Sequence, residues 1–451
     1  MSVLNLSQVV LAAGFFRLDT LAITMALLVA FLGIIVLRFA SRYLEGDPGR
    51  FRFLVWMGLT IASVLVLVTT NHLLLLLGAW TSTSLCLHRL LLHHPDRPGA
   101  IFAARKKFVF SRVAELSLLG AAILLYDGHR TWYLDEIIAS ITNGNEAGLP
   151  AAAFLLAFCA MLKSAQFPFH SWLPDTMDTP TPVSALMHAG IINAGGFLIL
   201  RLAPVFTAAP GALHLLAIVG TITAFFGAIV MLAQSGVKRA LAFSTIAQMG
   251  FMMIQCGLGA WGLALLHLVA HSLYKASAFL LAGSTIGAAP RAAIPLATRS
   301  LALGALAGMA LVAAAATGAH LMIPETTPTP LIFLVILALA LAYGIARAAS
   351  GHPGSLPRAI AAALGIAVVA LALHLVAAHL LPSPAAPATP PLLILFITLA
   401  FITLFFFQAL LWRASGHPIG RRLYVHALNG FYVGPIANRL LNRLWPSKPS
   451  V

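Results

Sequence analysis

The chain has 451 residues, of which 60% are hydrophobic and only 9% charged, and its mean hydropathy is +0.96. Soluble globular domains carry about 25% charged residues, so this composition excludes a water-soluble enzyme and points to a membrane protein. The formal net charge of +15 would suggest nucleic acid as a partner of a soluble protein; here it has first to be set against topology, because cytoplasmic loops collect Lys and Arg.

Residues 3–16 are apolar but short, and an incomplete or interfacial helix is expected there. The first basic residue is Arg17. No basic n-region of a secretory signal precedes the apolar runs, and the N-terminus is expected to be retained. Runs of the roughly 20 apolar residues that a crossing requires then recur at 18–40, 52–70, 72–92, 103–126, 149–168, 181–203, 211–233, 240–258, 262–287, 300–322, 331–349, 358–381 and 390–412. The prediction is an all-α polytopic protein of about 13 transmembrane helices, with the ends of its spanning region on opposite faces.

Sorting the charges by face gives a clear asymmetry. Of 27 Lys and Arg residues, 21 fall on one face, among them Arg38, Arg42, Arg105, Lys106, Lys107, Lys238, Arg291 and the six from Arg413 onward. Arg17, Arg130 and Arg201 fall on the other, while Arg112, Lys163 and Lys275 lie within segments. The basic face is therefore expected to be cytoplasmic. On that reading the net charge reports orientation, and no nucleic acid is expected. The longest loop on the opposite face, Tyr126 to Leu149, carries Asp127, Asp135, Glu136 and Glu146. A Pro-rich loop at 324–330 lies on that face too. The tail from Arg413 is basic with interleaved aromatics and either lies on anionic lipid or docks a partner. Cys86, Cys159 and Cys256 sit in apolar segments without a CxxC pattern and read as small buried hydrophobes.

Ionisable groups inside the membrane are costly, and each is a functional hypothesis by default. Lys163 lies near the end of an apolar run, shortly before Pro168, which removes a backbone donor and breaks the helix. Broken helices at membrane depth are tolerated where they line protein or a water-filled cavity; the competing reading is a lysine snorkelling to the surface. His188 follows in the next run, either lining the same cavity or hydrogen-bonded for packing. His267, His271 and Lys275 recur every four residues in "HLVAHSLYK". Such spacing makes a slanting stripe about 12 Å long on a helix rising 1.5 Å per residue. Histidine titrates near neutral pH and a desolvated lysine can do likewise, so the stripe is a candidate proton wire. Packing histidines are the plain alternative, and a metal site lacks a nearby carboxylate or cysteine ligand in sequence. Glu115 is the one carboxylate well inside a predicted span, with Arg112 three residues earlier on the same face. It forms a local ion pair or reaches Lys163 on another helix. His320, His374 and His379 sit near segment ends, where snorkelling is cheaper. No catalytic and no metal-ligating set is read.

Three stretches carry a resemblance: "KSAQFPFHSWLPDTMDTPTPVSALMHAG", "VKRALAFSTIAQMGFM" and "HLVAHSLYKASAFLLAGS". In this order they closely resemble the antiporter-like membrane subunits of respiratory complex I (its subunit L) and of Mrp sodium/proton antiporters. The resemblance covers roughly Arg17 to Gly287. It implies a fold of two inverted repeats with broken helices and proton-translocation roles for Lys163 and Lys275, with His188, His267 and His271 as relay groups. It divides the chain into a short N-terminal apolar segment (1–16), a translocation core (17–290), C-terminal transmembrane helices (291–412) and a basic tail (413–451). Two departures stand out. Thr81 occupies the place of the family's glutamate in a WEG-type motif, so Glu115 is the expected substitute partner of Lys163. No lysine occurs in 300–320, where the family has one. "HRLLLHHPDRPGAIFAARKKFVFSRVAE" and the tail "RLYVHALNGFY" resemble a shortened branch, the DabB-type subunits of bacterial inorganic-carbon accumulation complexes. That resemblance implies an inner-membrane location and a large cytoplasmic partner, DabA-like, with the zinc of a β-carbonic anhydrase. The zinc would belong to the partner, and the chain itself is expected to hold no cofactor and to conduct H+ or Na+ rather than catalyse.

Overall fold

The structure, a computed structural model, describes residues 9–11, 14–285, 298–322, 328–350, 355–380, 387–413 and 418–445. Arg291, Lys448 and most of the 324–330 loop lie outside these, as do residues 3–8 and the side chains of His320, His374 and His379. Strands β1 (Val9–Leu11) and β2 (Phe16–Leu18) pair antiparallel, with Val9 opposite Leu18. The helix expected over 3–16 is therefore a hairpin in its described part: Gly14 turns the chain at φ +86, a conformation only glycine adopts without cost. The Phe15 carbonyl accepts from Asn71 N at 2.8 Å and anchors the hairpin.

Helices α1 (Thr20–Tyr43), α2 (Arg50–Thr69), α3 (Leu73–Leu91) and α4 (Pro98–His129) run alternately across the molecule. After α5 (Leu134–Thr142), a short amphipathic helix on the face opposite the basic one, come α6 (Leu149–Lys163), the single turn α7 (Trp172–Asp175), α8 (Thr181–Ala189), α9 (Ala194–Arg201) and the short α10 (Ala203–Thr207). The remaining long helices are α11 (Pro210–Ala233), α12 (Val237–Gly257), α13 (Trp261–Leu280), α14 (Thr298–Met322), α15 (Pro328–Ala349), α16 (Ser355–Leu380) and α17 (Pro391–Arg413). The tail folds as α18 (Pro418–Leu428) and α19 (Val433–Leu444). Among the described residues, 10 helices are long and apolar enough to cross a membrane, α8 and α9 counting as one, and three shorter apolar helices accompany them. Each predicted span contains a helix, although 149–168 ends in a non-helical stretch after Lys163 and 181–203 is divided between α8 and α9. Helices satisfy their own backbone groups, which is why they are the stable form for such runs in lipid.

The α1 N-cap ties the two ends of the core together. Asp19 Oδ1 accepts from Ala22 N at 2.9 Å, and Oδ2 pairs with Arg201 at 2.6 Å and Arg17 at 2.9 Å. Burial works against the ionised carboxyl, but the Arg201 guanidinium, joined by the Ala22 N–H and Arg17, holds Asp19 below the usual carboxylate range. Arg201 is buried, so Asp19→Ala strands its charge. We expect a loss of about 3–5 kcal/mol, read as a fall in the unfolding midpoint of the purified chain in detergent; an unchanged midpoint counts against this anchor.

Glycines set a close contact between α11 and α12. A Cβ on Gly220 would stand 2.6 Å from Gly250 O, one on Gly250 2.4 Å from Ala224 N, and one on Gly257 2.5 Å from Ala217 N. Backbone meets backbone here, so α11 and α12 lie as close as small residues permit.

Candidate functional site

The broken stretch begins earlier than its proline. Helix α6 stops at Lys163, and Ala165 takes a left-handed φ of 49. Pro168 then caps a 3-10 turn, Phe169–Ser171, which the α-helix cannot continue through. Side chains satisfy the carbonyls that the break exposes. Trp172 Nε1 donates to Leu162 O at 3.3 Å, and Gln166 Nε2 donates to Ser164 O at 2.9 Å. Ser164 Oγ in turn donates to Ile192 O at 2.7 Å. The Ile192 carbonyl lies in a second break, Ile191–Asn193, between α8 and α9. Two interrupted helices therefore meet in the interior.

On one side of that meeting point lies a basic cluster. The Lys163 Nζ is buried, makes no hydrogen bond to the protein and sits 4.6 Å from the centroid of the Trp80 ring. Lys107, also buried, donates to Ser84 O and Ser84 Oγ, both at 2.8 Å. Arg112 Nη2 pairs with Glu115 Oε1 at 2.7 Å. Lys107, Lys163, Arg112 and Glu115 lie within electrostatic reach of one another, three basic groups against one carboxylate. The expectation that Glu115 takes the ion-pair role with Lys163 needs correction. Its carboxylate is held by Arg112 one turn away, and among the described residues no carboxylate lies within ion-pair distance of Lys163.

Lys106 and Lys107 need a second correction, since charge counting placed both among the surface charges of the basic face. Pro98 starts α4 at the favoured first position, so both lysines lie more than two turns inside a helix and are buried. Sequence reading missed Lys107 as a member of the site; the proline at 98 was the signal for it. Lys106 Nζ donates to Asp175 Oδ2 at 2.7 Å, Ser171 O at 3.2 Å and Asn438 Oδ1 at 2.6 Å. The tail helix α19 is thereby fastened to the broken stretch, and Arg105 adds a contact to the Trp445 ring at 5.2 Å.

On the other side lies the α13 stripe. His267 Nδ1 bonds Gln255 Oε1 at 2.8 Å, and the His267 and His271 rings stand 5.9 Å apart. Both nitrogens of His271 are buried without a protein partner. Lys275 Nζ donates to Ser244 Oγ at 2.7 Å and Leu241 O at 3.3 Å. His188 joins this side: its ring stacks on Phe279 at 4.4 Å, and its Nδ1 bonds Thr245 Oγ1 at 3.0 Å. Asn193, in the second break, donates to Ser272 Oγ at 2.7 Å. A small, largely apolar cavity walled by α1, α2, α8 and α9 reaches Asn193 and Ser272 at one side and Thr83 at the other. His188, His267, His271 and Lys275 are thus brought together, while Lys163, Glu115 and Arg112 form the separate basic cluster.

The chain matches the family model described as NADH:quinone oxidoreductase/Mrp antiporter over residues 70–345, and that of the complex I chain 5 N-terminus over 11–54. It is 45% identical over 269 residues to the probable inorganic carbon transporter subunit DabB of Hydrogenovibrio crunogenus, a match spanning 59% of this chain and 52% of that protein. To the probable subunit DabB2 of Halothiobacillus neapolitanus it is 38% identical over 451 residues, spanning 96% and 81%. Among solved structures, the Mrp complex of a Dietzia species aligns with TM-score 0.64 at 25% identity, covering 99% of this chain and 55% of that one.

Proposed function

The chain belongs to the NADH:quinone oxidoreductase/Mrp antiporter family and to its DabB-type inorganic carbon transporter subunits, and from that premise we propose that it energises an inorganic-carbon accumulation complex by conducting protons through its two polar groups. It is a multi-pass, ion-translocating membrane subunit rather than an enzyme. The observation that carries the proposal is the row of buried polar atoms without protein partners, Lys163 Nζ, His188 Nε2, Asn193 Oδ1 and both nitrogens of His271. Such atoms are costly unless water or an ion completes them. They flank the two helix breaks, where a hydrated path is cheapest.

Nitrogen groups dominate the row. Hard cations are held by oxygen ligands, so lysine and histidine favour the proton over sodium as the cargo. A proton on Lys163 is felt by Lys107 and the reverse, so occupancy at one biases release at the other. His271 lies between His267 and Lys275 on the stripe and hands protons along it through water. The basic face is cytoplasmic in this reading, the membrane is the bacterial inner one, and the tail is cytoplasmic. A DabA-like partner bearing the zinc of a β-carbonic anhydrase docks there and hydrates CO2 to bicarbonate.

Purifying the chain from native membranes and identifying co-purifying chains by mass tests the assembly. A zinc-containing carbonic-anhydrase-like protein is expected. Quinone oxidoreductase subunits in its place would make the chain a respiratory subunit and overturn the reading.

A further inference from the structure

The basic face carries a cluster that ion conduction does not use. The loop after α1 and the end of α3 are 46 residues apart in sequence at Asp47 and His93, yet His93 Nε2 lies 3.2 Å from Asp47 Oδ2. His94 packs its ring edge-on to His93 at 4.6 Å. One ligand-capable atom from each of Asp47, His93 and His94 falls within 4.8 Å of the others. We propose that Asp47, His93 and His94 form a binding site for a divalent zinc-class metal ion.

Geometry and chemistry both support this choice. Zinc bonds of 2.0–2.1 Å in a tetrahedron put two ligand atoms about 3.3 Å apart; the His93–Asp47 pair already stands at 3.2 Å, and the His94 atom, within 4.8 Å of both, has to draw in. Two imidazoles and one carboxylate suit zinc, cobalt or nickel, whereas magnesium and calcium demand oxygen ligands. The ligands are also held in place. Asp47 Oδ1 accepts from Gly49 N at 2.6 Å, which turns Oδ2 toward His93. His93 is buried, its ring edge-on to Phe53 at 4.8 Å, and a Cβ on Gly49 would come within 2.8 Å of its Cε1. Outer partners of this kind orient metal ligands. Burial holds the His93 imidazole below its usual range, with the Asp47 carboxylate opposing. The Gly49 N–H, with help from His93 and against burial, holds the Asp47 carboxyl below the usual carboxylate range. A bound ion would replace the single His93–Asp47 hydrogen bond with three bonds and clamp the α1–α2 loop to the end of α3. Three protein ligands leave a fourth position for water or a group from a docked partner.

The test is a Co2+ titration of the tag-free, chelator-treated full chain in detergent, followed by visible absorption, with Zn2+ as competitor. One equivalent is expected to bind with the intense absorption of a four-coordinate site and to be displaced by Zn2+. His94→Ala, at the outer edge of the cluster, should weaken binding at least tenfold, and Asp47→Asn should do the same. Unfolding midpoints with chelator present check that both variants fold as the parent does. Binding of less than one equivalent at about 100 μM Co2+, or equal binding by the parent and both variants, would falsify the site.

Discussion

Lys163→Ala and Lys275→Ala are each expected to remove proton flux through the chain while leaving it folded and assembled. Each change deletes a buried nitrogen group at one end of the polar path: Lys163 lies over Trp80, and Lys275 is held by Ser244 and Leu241. Losing a positioned proton-transfer group costs on the order of 10²-fold or more. The measurement is acidification of liposomes holding the purified complex and a trapped pH-sensitive dye. Carbon-dependent growth in air is the cellular counterpart. Lys107→Ala is expected to fall in the same class, because Lys107 and Lys163 share one electrostatic neighbourhood. Undiminished flux in all three variants would leave the buried lysines without a role in conduction.

The second large effect concerns the scaffold under the stripe. Gly250→Val pushes α12 away from α11, because the new Cβ would meet Ala224 N at 2.4 Å and Gly220 O at 2.7 Å, both backbone atoms that cannot rotate aside. Helix α12 also supplies Ser244, Thr245 and Gln255, the partners of Lys275, His188 and His267. We expect a destabilisation of about 3 kcal/mol, the upper end of overpacking, with loss of flux even in the fraction that stays folded. Gly58→Ala and Gly78→Ala are the controls. A Cβ at either position meets nothing within 4 Å, and alanine is the better helix former. Equal unfolding midpoints for Gly250→Val and the two controls would mean that the close approach is not required.

Much of this architecture could be read from the sequence, and the misreadings share one physical cause. Runs such as Pro210–Ala233 and Pro391–Arg413 announce themselves, because a bilayer crossing needs length and apolarity along one segment. The four-residue spacing of His267, His271 and Lys275 likewise puts them on one helix face without any knowledge of neighbours. Which helix lies beside which is a matter of tertiary packing. Glu115 was expected to reach Lys163, and it is instead taken by Arg112, three residues away on its own helix. Ser84, unremarkable in the chain, holds Lys107. Asn193 and Thr245 complete the second group from elements with no motif of their own. The strand pair Val9–Leu11 and Phe16–Leu18 was missed for a related reason: apolar residues near Gly14 fit a strand pair as well as a helix when the run is too short for periodicity to decide.

The contact between Lys106 and Asn438 also bears on the order in which the chain is made. Asp175 follows Lys106 by 69 residues and Asn438 by 332. At the 5–20 residues per second of synthesis, the second partner leaves the ribosome roughly 17–66 s after the lysine does. During that interval the ammonium depends on the broken stretch alone, and its third partner arrives only with α19. A chain that lacks α19 therefore differs from one that carries it at Lys106, 332 residues before Asn438.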